Sequence, residues 1–170
     1  MGSNVDSTNN FPLKKMILSR QQSEQWIPPS GNILKVNVDA ACDLNKGCTE
    51  LGVVIRDASG RLKGVVLHNA SGRLSPMAGE ALAILFGTRF YIKEGFKNII
   101  MKSDALNVIE AIKQSSYNLN EIGAVTAEVH CLKHAFDMIS WSKISRTCNK
   151  AAHNLAKKAL HITGKGGKWA

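Results

Sequence analysis

The stretch Ile33-Leu34-Lys35-Val36-Asn37-Val38-Asp39 sets Leu34, Val36 and Val38 against Lys35, Asn37 and Asp39. A period of two marks a strand with two chemically different faces, and this one ends its apolar run on an acid. Upstream, Trp26-Ile27-Pro28-Pro29-Ser30-Gly31 is a stiff, turn-rich approach, because two prolines fix the backbone and Gly31 releases it. The fold therefore begins after Gly31. Downstream, residues 51–57 and 62–68 are two more β-rich runs joined by the tight-turn signature Asp57-Ala58-Ser59-Gly60, so the three strands read as an antiparallel meander.

From Pro76 the period becomes helical, with Ala78, Ala81, Leu82, Leu85, Arg89 and Ile92 on one stripe and Gly95 as the stop. Residues 98–103 form a short buried strand. Residues 105–114 return as a helix carrying Leu106, Val108, Ile109 and Ile112. A helix from about Asn120 carries Ile122, Val125, Val129, Leu132 and Phe136. Residues 138–144 are a last strand, and 149–160 a last helix with Ala152, Leu155, Ala156 and Ala159 inward. A strand, helix, strand succession implies a right-handed crossover and parallel pairing. The expected fold is α/β: a mixed five-stranded sheet, first meander and then parallel, with flanking helices.

This order gives three acids a common address. Asp39 ends the first strand, Glu80 falls in the first turn of the long helix, and Asp104 follows the strand 98–103. Ligands of open α/β sheets bind beyond the carboxyl ends of parallel strands, and Asp104 stands there beside the strand that carries Asp39. Taken singly, each acid has a structural explanation: a strand-end turn former, an acid favoured by the helix dipole, a helix cap. Taken together, three converging carboxylates require cations to remain ionised, and hard divalent ions prefer oxygen ligands. Phosphoryl chemistry is the leading reading.

Composition fits that direction. The chain has 170 residues, 44% of them apolar, and a net charge of +9, which suits one globular domain with an anionic partner. The charge is concentrated: from Met138 onward there is no Asp or Glu, while Lys143, Arg146, Lys150, Lys157, Lys158, Lys165 and Lys168 all fall there. Cys42, Cys48, Cys131 and Cys148 form no CxxC pair, which argues against a zinc knuckle or redox motif and reads as reduced intracellular thiols. No apolar stretch reaches the roughly 18 residues of a membrane span, and no secretory signal opens the chain. The expected layout is a flexible polar lead-in over 1–25, the domain over 26–162 and a basic flexible tail over 163–170. The expected compartment is nucleus or cytoplasm, with an organelle left open.

Several segments, in order, resemble the type I ribonuclease H family, and most closely its plant members related to non-LTR retroelement polyproteins. They are Trp26-Ile27-Pro28-Pro29, then Lys35-Val36-Asn37-Val38-Asp39-Ala40-Ala41, then Gly52-Val53-Val54-Ile55-Arg56-Asp57-Ala58-Ser59-Gly60. Gly79-Glu80-Ala81-Leu82-Ala83, Ser103-Asp104 and Arg146-Thr147-Cys148-Asn149-Lys150-Ala151-Ala152-His153-Asn154-Leu155-Ala156 complete the set. The resemblance implies an endonuclease that cuts the RNA strand of an RNA–DNA hybrid with two Mg²⁺ ions about 4 Å apart, Mn²⁺ being the alternative metal. Asp39 would bridge both ions, Glu80 and Asp104 would complete the first site, and His153 the second. Ala40, Ala41, Arg146 and Asn149 would contact substrate, and the protein would act as a monomer away from membranes.

The chain departs from the family pattern at four places. Position 153 is His where cellular members usually carry Asp, which removes one negative charge and shifts preference toward softer ions. No His lies between Trp141 and Cys148, where many members carry a mobile one. Ser75-Pro76-Met77-Ala78-Gly79 is mostly apolar where better-known members present amides. The helix from Asn120 lacks the family's basic and aromatic cluster, which leaves substrate affinity to the basic C-terminal third. Two function classes follow: an active hybrid-cutting nuclease, favoured by the three acids, and a catalytically weak or inactive nucleic-acid-binding module, favoured by His153 and the missing loop His.

Overall fold

The computed structural model describes residues 25–114 and 121–163. The expected lead-in and tail, and the start of the helix expected from Asn120, lie almost wholly outside the described residues. In chain order the elements are β1 (Leu34–Asp43), β2 (Cys48–Arg56), β3 (Leu62–Ser71), α1 (Pro76–Lys93), β4 (Asn98–Ser103), α2 (Leu106–Gln114), α3 (Gly123–Leu132), β5 (Met138–Lys143) and α4 (Lys150–Thr163). A short 3-10 turn, Lys133–Ala135, follows α3. The sheet order is β3-β2-β1-β4-β5. β1 pairs antiparallel with β2, and β2 with β3, while β4 runs parallel to β1 and β5 parallel to β4. This is the mixed five-stranded sheet expected from the sequence. Among the described residues no helix is long and apolar enough to cross a membrane.

Asp39 is not the end of its strand. β1 continues through Ala40-Ala41-Cys42 to Asp43, which pairs with Cys48, so both hairpin strands outrun the expected 33–39 and 51–57. The extension was invisible to hydropathy because small residues carry it. At its tip Asp43 Oδ1 accepts from the amides of Asn45 and Lys46, a local bond that stabilises the turn. Nor does β1 have a wet face: Lys35, Asn37 and Asp39 are all buried. Gly87 of α1 packs near Val38 on one side, whereas Asn37 bonds to Asn149, at the start of α4, on the other. Successive strand residues point to opposite faces, so α1 and α4 cover the two sides of β1.

Two glycines set how closely those helices approach. A Cβ at Gly52 would lie 2.8 Å from the Ala152 carbonyl oxygen, so α4 rests directly on β2. A Cβ at Gly79 would lie 2.7 Å from Cys42 Sγ and 3.2 Å from Ala40 Cβ, so the first turns of α1 press on β1 beside Asp39. Ser75 caps α1 by accepting from the Ala78 amide, and Pro76 occupies the first helical turn. Glu80 is therefore in the second turn, not the first, where the helix dipole offers it little. Arg89, expected on the buried stripe, is exposed and pairs with Glu128 of α3. Ile84, Thr88 and Tyr91 are buried instead, because α1 is covered by both the sheet and α3. Leu106 likewise faces outward at 47% exposure, while Val108, Ile109 and Ile112 enter the core.

Candidate active site

One ligand atom from each of Asp39, Glu80 and Asp104 lies within 4.8 Å of the other two. Each arrives from a different element: β1, the second turn of α1, and the residue just after β4. The parallel pairing of β1 with β4 brings the two aspartates side by side, and the Gly79 contact lowers α1 until Glu80 reaches them.

The cluster is wired in place. The Ala40 amide donates to Glu80 Oε1 at 3.3 Å, and Ser103 Oγ donates to Glu80 Oε2 at 3.1 Å. Ser103 Oγ in turn accepts from the Ala105 amide, linking Glu80 to the start of the Asp104 segment. Asn149, only 1% exposed, donates to the Val38 carbonyl at 2.9 Å and to Asp104 Oδ1 at 3.4 Å, and accepts from Asn37 Nδ2 at 2.9 Å. Asn37 Oδ1 accepts from Trp26 Nε1 at 3.4 Å. His153 Nδ1 lies 2.6 Å from Asp39 Oδ2. Arg146 Nε lies 3.9 Å from Asp104 Oδ2 and is largely exposed.

Charge crowding shows in Glu80. Burial, a hydrogen bond with Asp39 and the charges of Asp39 and Asp104 raise its pKa to about 9, against a smaller opposing pull from the Ala40 amide. Removing carboxylates from water disfavours their charged form, and like charges add to that cost. A hard divalent cation among the three would reverse both effects, and an all-oxygen donor set suits such an ion. The residues present therefore fit a Mg²⁺-class ion.

Of the residues expected to touch substrate, Arg146 is accessible. It lines a cavity of about 390 Å³ together with Met77, Glu80, Asp104, Leu106 and Asn107. Asn149 and Ala41 are buried, and the Ala40 amide is engaged by Glu80. Ser103 and Asn37 escaped the sequence reading. Both stand in the motifs quoted above without a role: Asn37 reads only as part of a polar strand face and Ser103 as the end of a buried strand, and neither pattern shows the side chain that it bonds.

The overall geometry is shared with solved ribonucleases H. RNase H1 of the halophilic archaeon Halobacterium salinarum NRC-1 matches at 21% identity over 76% of this chain and 98% of that one, with a TM-score of 0.69. The N-terminal RNase H domain of a Mycobacterium tuberculosis protein, solved as a fusion with maltose binding protein, matches at 17% identity over 80% and 99%, with a TM-score of 0.69. LC11-RNase H1, isolated from compost, matches in its complex with an RNA/DNA hybrid at 17% identity over 75% and 99%, with a TM-score of 0.64. At these identities the likeness is one of fold. A search of curated proteins gives no match. The family assignment rests on the sequence from Asn37, which holds Asn149, to Ala159 on the buried side of α4: a family model described as reverse transcriptase-like matches residues 37–159, and the chain belongs to that family.

Proposed function

We propose that this chain is a metal-dependent endonuclease that hydrolyses the RNA strand of RNA–DNA hybrids. The observation that carries the reading is the convergence of Asp39, Glu80 and Asp104, where burial and then the two neighbouring carboxylates raise the pKa of Glu80 to about 9. Such a cluster is costly unless cations complete it. Asp39, Glu80 and Asp104 would hold one Mg²⁺, and Asp39 with His153 a second, Mn²⁺ being the alternative. Bound there, the two ions would activate a water and stabilise the charge that develops on the leaving oxygen. The chain's own residues supply the positioning: Ser103 and the Ala40 amide aim Glu80, Asn149 aims Asp104, and His153 aims Asp39.

The cavity beside the acids accepts a phosphodiester backbone, with Arg146 as its accessible cation. Phosphate and 2′-hydroxyl contacts would make recognition largely independent of sequence. One fold relative was solved with an RNA/DNA hybrid, which supports this substrate class. In this reading residues 26–162 act as one monomeric unit, intracellular and of plant retroelement descent. The test is hydrolysis of a labelled RNA–DNA hybrid in Mg²⁺ and in Mn²⁺, with duplex DNA and duplex RNA as controls. The second reading, a binding module that does not cleave, draws on the His153–Asp39 bond, which occupies the carboxylate that would bridge both ions. Hybrid binding without cleavage in either metal would select it.

A further inference from the structure

A second cavity, of about 190 Å³, lies where the start of β1, the end of β2 and the start of α4 meet. Trp26, Asn37, Arg56, Thr147 and Lys150 line it beside the apolar Val54 and Ala151, and among the described residues no carboxylate does. Lys35 stands beside it, with its Nζ 4.6 Å from the centre of the Trp26 ring, and the Arg56 guanidinium lies 5.4 Å from the same ring. The ion pairs among the described residues join Lys46 to Asp43, Arg61 to Asp57, Arg89 to Glu128, Arg146 to Asp104 and His153 to Asp39. None involves Lys35, Arg56 or Lys150. Lys35 has its pKa lowered by burial and by the charge of Lys102, with only the Cys148 thiol opposing. Three cations thus gather here with no acidic partner among the described residues; Arg56 and Lys35 lie against the Trp26 indole, and Lys35 also donates to the Ile27 carbonyl.

We propose that this cavity binds a phosphate group carried on a nucleic-acid strand, at a point separate from the acid cluster. The volume suits a phosphate and part of a sugar, and Arg56, Lys150 and the Thr147 hydroxyl are the donor types that such an anion needs. Trp26 Nε1 donates to Asn37, Asn37 to Asn149, and Asn149 to Asp104, so one hydrogen-bonded chain fixes the cavity relative to the acids. A strand anchored at Arg56 and Lys150 is therefore held at a set distance from the place of cleavage. The identity of the carrier rests on the nuclease reading; the anion site itself does not.

The experiment is binding without divalent metal, in EDTA, where no metal-dependent cleavage occurs and the acids repel phosphates. The Trp26 indole N–H resonance, assigned with Trp26→Phe, is followed during titration with an oligonucleotide and, separately, with inorganic phosphate. Affinity is measured against salt for the wild type and for Arg56→Gln/Lys150→Gln. The expected result is a saturable Trp26 shift with both ligands, larger affinity for the oligonucleotide, and a log–log salt slope lower by about 1 for each phosphate that the variant no longer neutralises. Because Lys150 is exposed, Lys150→Gln alone keeps the test decisive if the double variant does not fold. An unmoved Trp26 resonance together with an unchanged salt slope would overturn the site, and a response to inorganic phosphate alone would overturn its assignment to a strand. Persistence of the shift in a protein that cleaves no hybrid would overturn the nuclease reading and leave the anion site standing.

Discussion

His153 Nδ1 sits 2.6 Å from Asp39 Oδ2, joining α4 to β1 across 114 residues of chain. The contact exists because Gly52 lets α4 lie on the sheet at Ala152, one residue before the histidine. Against an ionised Asp39, which only accepts hydrogen bonds, Nδ1 carries the proton, and this bond would have to give way before both side chains could hold one ion. His153 therefore both orients the proposed bridging carboxylate and limits the hardness of the second site.

Replacing His153→Asp adds a fourth carboxylate beside a cluster that already crowds Glu80. The ratio of Mg²⁺-supported to Mn²⁺-supported cleavage should rise, because carboxylate suits Mg²⁺ better than imidazole does. In EDTA the variant should melt below the wild type, and Mg²⁺ should restore more of its stability than it adds to the wild type. An unchanged metal ratio in parallel hydrolysis assays would remove His153 from the second site.

The raised pKa of Glu80 gives the metal-free protein a pH dependence of definite sign. Its ordinary value is 4.5 and its folded value about 9, so between these the folded state holds a proton that the unfolded chain has released. Stability in EDTA should therefore fall as pH rises from about 5 toward 9. Glu80→Gln should flatten that slope. Thermal melts across this range, with and without Mg²⁺, check it; a wild-type slope identical to that of Glu80→Gln would show that Glu80 is not the group responsible.

Much of this was legible in the sequence because its carriers were periodic. The alternation of 33–39, the turn at 57–60, the helical stripe from Pro76 and the short apolar run 98–103 gave strand order, and strand order placed Asp39 beside Asp104. What the sequence hid was covered by a second layer. Asn37 and Lys35 read as the polar face of a strand, yet both are buried, Asn37 against Asn149 before α4 and Lys35 against Trp26 and Ile27, and Arg89 looked inward because α1 is packed on several sides, which blurs any single stripe. Glu80 falls one turn later than expected although the helix starts at Pro76, because the fifth helical residue already lies past the roughly 3.6 residues of the first turn. The link from Trp26 through Asn37 and Asn149 to Asp104 joins distant positions, and no local pattern encodes it.

Asn149→Ala should destabilise the fold more than it weakens substrate binding. The substitution leaves the Val38 carbonyl and the Asn37 amide without their buried partner, at about 1–3 kcal/mol for each group left unpaired. Denaturant unfolding should show a lower midpoint with an unchanged slope. Full stability coupled with lost hybrid affinity would return Asn149 to a direct substrate role.

Gly79→Ala tests how Glu80 reaches the aspartates. The added methyl would meet Cys42 Sγ and Ala40 Cβ, forcing the start of α1 away from β1 at about 1–3 kcal/mol, the usual scale of overpacking. Since Glu80 is the next residue, cation affinity should fall along with stability. Mg²⁺ titration followed by thermal shift would show the loss, whereas an unaltered Mg²⁺ response would mean that the helix start can move without carrying Glu80 with it.

Asp39→Asn separates the charge of the site from its shape. Asp39 is 3% exposed and contacts both His153 and Glu80, and an amide of the same size removes its negative charge with little change in packing. With one repulsive neighbour gone, Glu80 should ionise more readily, and the variant should be more stable than the wild type in EDTA at pH 8. Cleavage in either metal should fall by about a hundredfold to a thousandfold, the scale seen when a principal charge-stabilising group is lost. The two outcomes point in opposite directions, so a merely unfolded variant cannot mimic them. Cleavage that survived this substitution would sink the two-ion mechanism for the chain, whatever its fold.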